Sequence, residues 1–161
     1  MTIVITIGAT MKKVILLVIS SWLLISCQQE VVYNTILSLP SQGWAADSIV
    51  EFTPRIDDTL GNYQLQLLLR HNERYAYQNI WLFVEVRQDT LLLHSDTIEC
   101  MLADERGVWY GKGMTRFTLP LLYKEDIAMP AGEYVMTVQQ GMREETLQGI
   151  IEVGLKVIEN R

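Results

Sequence analysis

Apolar and polar residues alternate along several short stretches of this chain. Leu65, Leu67 and Leu69 share one side of a two-residue period, with Gln64, Gln66 and Leu68 on the other. Ile80, Leu82, Val84 and Val86 share a side opposite Trp81, Phe83, Glu85 and Arg87. Ile98, Cys100 and Leu102 repeat the pattern, as do Tyr134, Met136 and Val138, and then Ile151, Val153, Leu155 and Val157. A period of two over runs of this length describes half-buried strands. Turn-forming residues separate the runs: Pro54, Asp57-Asp58, Gly61-Asn62, His71-Asn72, Gln88-Asp89, Asp104 to Gly107, Pro130 to Gly132, and Gly141. The expected fold is all-β, a single antiparallel β-sandwich of roughly seven or eight strands. One stretch, Leu121 to Ile127, is a candidate short helix. The 161 residues suit one domain, and no internal repeat divides them.

The N-terminal segment follows a different pattern. Lys12 and Lys13 precede an apolar run of 12 residues, Val14 to Ile25. A bilayer core of roughly 30 Å needs about 20 apolar residues, so this run fits the apolar region of a signal peptide better than a span. Leu24-Ile25-Ser26-Cys27 then resembles the bacterial lipoprotein signal: two apolar residues, a small one, and a cysteine whose thiolate can take a diacylglyceryl group. The expected organisation is a signal peptide over 1–26, a lipidated tether over 27–39 and a β-sandwich over 40–161. Met11, followed by the two lysines, is a better initiator than Met1. The tether carries Tyr33, Ile36 and Leu39, which give it apolar points for docking. Two or three acyl chains on Cys27 anchor a protein far more firmly than one, since each buried methylene contributes about 0.8 kcal/mol.

Charge narrows the function. The whole chain carries −6, and loss of Lys12 and Lys13 leaves 11 basic against 19 acidic residues, a net −8. A chain so acidic is a poor binder of nucleic acid and of anionic lipid surfaces, so anchoring falls to the lipid on Cys27. Catalytic patterns are scarce. His71, read in a turn, and His94, read at a strand edge, have no second ligand at metal-binding spacing. No G-x-S-x-G elbow occurs. Cys100 falls on an inward face, as an inert buried thiol. Asp57-Asp58 and Asp104-Glu105 could supply oxygen ligands to calcium, but neither pair has the spacing of a calcium loop, and turns favour aspartate without any ion. Neither a metal nor another cofactor is expected, and no small-molecule substrate.

The aromatic residues offer more. Trp44, Trp109 and Tyr110 are candidate partner-contacting residues, whereas Trp81, beside Phe83, reads as core. Trp109-Tyr110 lies among Gly107, Gly111 and Gly113, where the backbone can turn sharply. It serves equally well as a partner contact or as a structural aromatic packed on a bulge.

Three sets of residues together carry a family resemblance. They are Tyr33, Ser38-Leu39-Pro40 and Gly43-Trp44 with Asp47 to Phe52; Leu102-Ala103-Asp104 with Gly107, Trp109, Gly111 and Gly113; and Gln139 to Arg143 with Gly149-Ile150 and Val153-Gly154-Leu155. In that order they resemble the gliding-motility lipoprotein H family (GldH) of Bacteroidetes. The resemblance implies an envelope lipoprotein of the gliding-motility or type IX secretion apparatus, with envelope proteins as partners and no catalytic residues to carry over. It also implies the outer membrane. Gln28-Gln29-Glu30 holds one acid, where surface-exported lipoproteins of these bacteria have a richer acidic run, so the periplasmic face is expected. Three classes of function follow. The first is a non-enzymatic lipoprotein that binds envelope proteins. The second is a surface glycan-binding lipoprotein stacking sugars on Trp109, Tyr110 and Trp44. The third is an enzyme whose residues meet only in the fold.

Overall fold

The structure, a computed structural model, describes residues 30–57 and 61–160. All of their regular structure is strand: β1 (Glu30–Ser38), β2 (Trp44–Ala45), β3 (Ile49–Phe52), β4 (Arg55–Ile56), β5 (Asn62–Asn72), β6 (Asn79–Gln88), β7 (Leu91–Met101), β8 (Arg116–Ala128), β9 (Gly132–Gln140), β10 (Thr146–Leu147) and β11 (Ile150–Asn160). One sheet has the order β1-β11-β5-β8, and the second runs β3-β9-β6-β7 with β4 added beside β9. Every pairing is antiparallel. Eight strands are four residues or longer, and β2, β4 and β10 are two-residue pieces.

The two-residue period sets the core. Tyr63, Leu65, Leu67, Leu69 and His71 of β5 point inward with Val153, Leu155 and Val157 of β11. They meet Ile80, Leu82, Val84 and Val86 of β6, Tyr134, Met136 and Val138 of β9, and Val50 and Phe52 of β3 in one apolar cluster. At β11 a bulge between Ile150 and Glu152 changes the phase, so Ile150 is buried where the alternation favoured Ile151. The β6–β7 hairpin closes over Asp89, which takes φ = 51°, a conformation aspartate tolerates better than most residues.

Four expectations are corrected. Leu121 to Ile127 is not helical but lies within β8. Two register shifts against β5, at Tyr63/Leu65 and Leu65/Gln66, insert extra residues there and break the alternation that marks a strand. Residues 30–38, placed in the tether, form the edge strand β1, which pairs with β11 from Glu30↔Glu159 to Ser38↔Glu152. His71 is not in a turn but in β5, fully buried. Trp81 and Phe83 are not core: they project from the outer face of β6, 39% and 45% exposed.

The strands give the sandwich two ends. Glu30, Asn62, Ala128 and Glu159 lie at one, by direct pairing through the first sheet. Ser38, His71, Phe117 and Ile150 lie at the other. The turn joining β5 to β6, the loop joining β7 to β8 and the turn after β9 all fall at that second end.

Candidate interaction surface

Two turns at the second end shape a groove. After β5, the Asn72 side chain accepts from the Arg74 N–H at 2.9 Å, and the Tyr75 N–H donates to the Asn72 carbonyl at 3.1 Å, closing a turn. Tyr75 is buried, and its hydroxyl donates to the Asn79 carbonyl at 2.6 Å. Burial pushes the Tyr75 phenol well above its usual pKa, so it stays protonated. Gly149 makes this packing possible: its φ is +87°, and a Cβ there would sit 2.2 Å from the Tyr75 nitrogen. The Tyr77 ring stands edge-on to Tyr75 at 5.8 Å and forms one wall of the groove.

The opposite wall follows β9. Gln140 is buried, and its amide holds the turn from both sides. Its oxygen accepts from the Met142 N–H at 2.8 Å, and its Nε2 donates to the Glu144 carbonyl at 2.9 Å. The Gly141 N–H donates to the Trp81 carbonyl at 2.7 Å, tying this turn to β6. Tyr77 closes the rim by donating to the Glu144 carboxylate at 2.6 Å, a bond that pushes the Tyr77 phenol pKa up. Between the walls lies a groove of about 700 Å³ lined by Tyr77, Asn79, Trp81, Met142, Arg143 and Glu144. Phe83 continues the apolar face of Trp81 along β6, and Met101 flanks Asn79 on β7.

A cluster of rings lies behind the groove. His71 packs edge-on to Trp109 at 4.4 Å, stacks on Phe117 at 5.3 Å and faces Tyr75 at 6.0 Å. Its Nδ1 is 3.4 Å from the Asn72 carbonyl, and its Nε2 has no partner. Burial holds the His71 pKa below the usual 6.5, against a smaller opposing effect of that carbonyl, so the ring is neutral near pH 7. The residues between β7 and β8 fold over the cluster. Asp104 Oδ1 accepts from the N–H groups of Arg106 and Val108, both at 2.8 Å, and Ala103 bridges to Trp109. Tyr110 and Met114 are left 55% and 91% exposed.

Trp44 is fully buried in the β2–β10 ribbon, with its indole N–H donating to the Ser48 carbonyl at 2.9 Å. It therefore has no face to offer a partner. Trp109 is half-buried in the ring cluster, and Tyr110 keeps an open ring. Cys27 lies outside the described residues, as does Asp58, while Asp57 pairs with Arg55 at 3.0 Å. The carboxylate of Asp104 is occupied by its own turn. Cys100 is buried, and its pKa is pushed up to about 11, so it is a thiol rather than a thiolate at neutral pH. Among the described residues no group of three or more His, Cys, Asp or Glu side chains could hold a metal ion, and no helix is long and apolar enough to cross a membrane.

The groove was not anticipated. Its signal was present in β6, where one face is complete in Ile80, Leu82, Val84 and Val86, so aromatic residues at the alternate positions must face outward.

Fold and site together define a small antiparallel β-sandwich with an aromatic groove and an apolar loop at one end. Residues 31–157 match the family model of the GldH lipoprotein. The chain belongs to the GldH lipoprotein family. It is 31% identical to the gliding motility lipoprotein GldH of Flavobacterium johnsoniae, over 88% of this chain and 93% of that protein. It is 30% identical to a gliding motility lipoprotein GldH homolog of Christiangramia forsetii, over 82% of this chain and 86% of that one. Among solved structures, the infectious bursal disease virus VP2 subviral particle superposes with a TM-score of 0.42 and 14% identity, covering 83% of this chain and 33% of that one. That likeness is too loose to bear on function.

Proposed function

We propose that this protein is a lipid-anchored accessory or assembly component of a gliding-motility or type IX secretion apparatus, acting by binding other envelope proteins rather than by catalysis. Its anchor is acyl chains on Cys27 once residues 1–26 are removed, and its seat is the periplasmic face of the outer membrane. The names of its relatives support the motility association. The observation that carries the binding mode is the groove, where the exposed Trp81 stands between the half-buried Tyr77 and Met142 and polar groups held in place by turn hydrogen bonds. Exposed aromatics beside a flexible methionine are typical of contact hot spots. The open ring of Tyr110 and the tip at Met114 extend this surface along the same end. Of the three aromatics proposed for stacking sugars, Trp44 is buried and Trp109 half-buried, which leaves Tyr110 with an open ring and favours the protein-binding reading.

Crosslinking in intact cells tests this. Membrane-embedded motility or secretion proteins should be recovered on crosslinks from the 74–79 and 141–144 turns. Recovery of no envelope protein, or crosslinks confined to the end bearing Asn62 and Ala128, overturns it.

A further inference from the structure

We propose that the groove takes an extended, basic stretch of a partner polypeptide, with an arginine or lysine side chain laid across Trp81 and its charge set between Glu99 and Glu144. This rests on the reading that the protein works by binding other proteins, and it specifies the chemistry of what is bound.

The argument begins with two carboxylates. Glu99 is the cross-strand neighbour of Trp81 in the β6–β7 ladder, so the two side chains stand next to one another on the outer face. The Asn79 side-chain amide donates to the Glu99 carboxylate. Across the groove the Tyr77 hydroxyl donates to Glu144 at 2.6 Å. Both carboxylates are thus oriented by neutral donors, which fix their position without cancelling their charge. Neither is in an ion pair; the salt bridges of the described residues lie elsewhere, at Arg55, Arg70, Arg87 and Lys124. Arg143 lines the groove and Arg74 lies on the bordering turn; both are exposed and neither pairs with Glu99 or Glu144, so the two carboxylates outnumber the one cation at the groove.

The third element is the open indole. Tryptophan presents the strongest cation-binding face among side chains. The cation laid over a ring in the described residues is Lys124 above Tyr123, at 5.1 Å, so Trp81 has none of its own. A guanidinium placed there meets the indole face and the cross-strand Glu99 carboxylate beside it, with Glu144 facing it from the opposite wall. Alternate side chains of an extended segment are about 7 Å apart, which carries an apolar neighbour onto Met142 or Phe83. A neutral sugar could stack on Trp81, but it leaves both carboxylate charges unmatched.

The test uses the full lipidated chain in a non-ionic detergent. The probe is an end-blocked octapeptide alternating arginine with serine and leucine, and its counterpart carries glutamate for each arginine. The arginine peptide should bind and quench tryptophan emission, and the glutamate peptide should not. Trp81→Leu, which keeps apolar bulk but removes the π face, should weaken binding about tenfold. The double variant Glu99→Gln, Glu144→Gln should do the same and flatten the salt dependence. Glu133→Gln, remote from the groove, should leave binding unchanged, and melting temperatures confirm that each variant folds. Equal binding of the two peptides, or binding indifferent to Trp81→Leu and to the double variant, overturns the proposal. So does Trp81-dependent binding of galacto-oligosaccharides in place of the arginine peptide. If the peptide arms fail while crosslinks in cells still return envelope proteins, the binding role stands and the basic ligand does not.

Discussion

His71 sits in the core with one ring nitrogen unsatisfied, among Trp109, Phe117 and Tyr75. Its folded pKa lies below 6.5, while the unfolded chain titrates near 6.5. Between those values the unfolded state binds more protons, so stability rises with pH across that window. The contribution is complete above about pH 6.5 and is lost as pH falls through and below it, with a slope of at most about 1.4 kcal/mol per pH unit. Urea unfolding at pH 7.5 and pH 5 should show this loss in the native chain and a smaller one in His71→Phe, which fills the same ring cluster without a proton to gain. The two tryptophans separate just as sharply. Trp44→Ala removes a fully buried ring and should cost about 3–5 kcal/mol, whereas Trp81→Leu, on the surface, should stay within about 1 kcal/mol of the native chain. Gly149→Ala combines a left-handed φ with a clash against the Tyr75 backbone and should destabilise by about 2 kcal/mol or more. Chemical unfolding curves of the variants measure each difference.

Strands β5, β6 and β9 could be read directly from the sequence, because each buries one face without interruption and a two-residue period survives intact. β8 could not, since bulges opposite Leu65 interrupt its alternation, and neither could β1, an edge strand whose residues are mostly exposed or half-buried on both faces. The groove escaped for a related reason. The period puts Trp81 and Phe83 opposite a complete aliphatic face, but two large apolar rings side by side also read as core, and only the second sheet lying against the aliphatic face decides between the two sides. The turn at 141–144 depends on hydrogen bonds from a buried Gln140, which no local pattern announces. Hydrogen exchange tests the correction at β1. Amides of a tether exchange within seconds, whereas those of Val31 to Leu37 that face β11 should be protected, to a lesser degree than β5 at the sheet centre.

At the scale of the molecule, the long strands run between one end that holds Glu30 and another that holds the groove. Cys27→Ser should abolish labelling by palmitate and release the chain from membranes while leaving its melting temperature unchanged, since the proposed anchor lies ahead of β1; fractionation of labelled cells with calorimetry of the purified variant decides it. The starting point of β1 has a mechanical consequence. Two residues, Gln28 and Gln29, separate Cys27 from Glu30, and the three steps reach no more than about 10 Å when fully extended. From there the strand climbs roughly 26 Å to Ser38. In the proposed arrangement, acylation at Cys27 would hold the Glu30 end of the body close to the bilayer with little slack, and the groove lies at the opposite end. Traction on a partner held in that groove would then be opposed by the proposed acyl chains at the foot, along the axis of β1. The hydrogen bonds joining β1 to β11 then share the pull in shear instead of opening one after another like a zip.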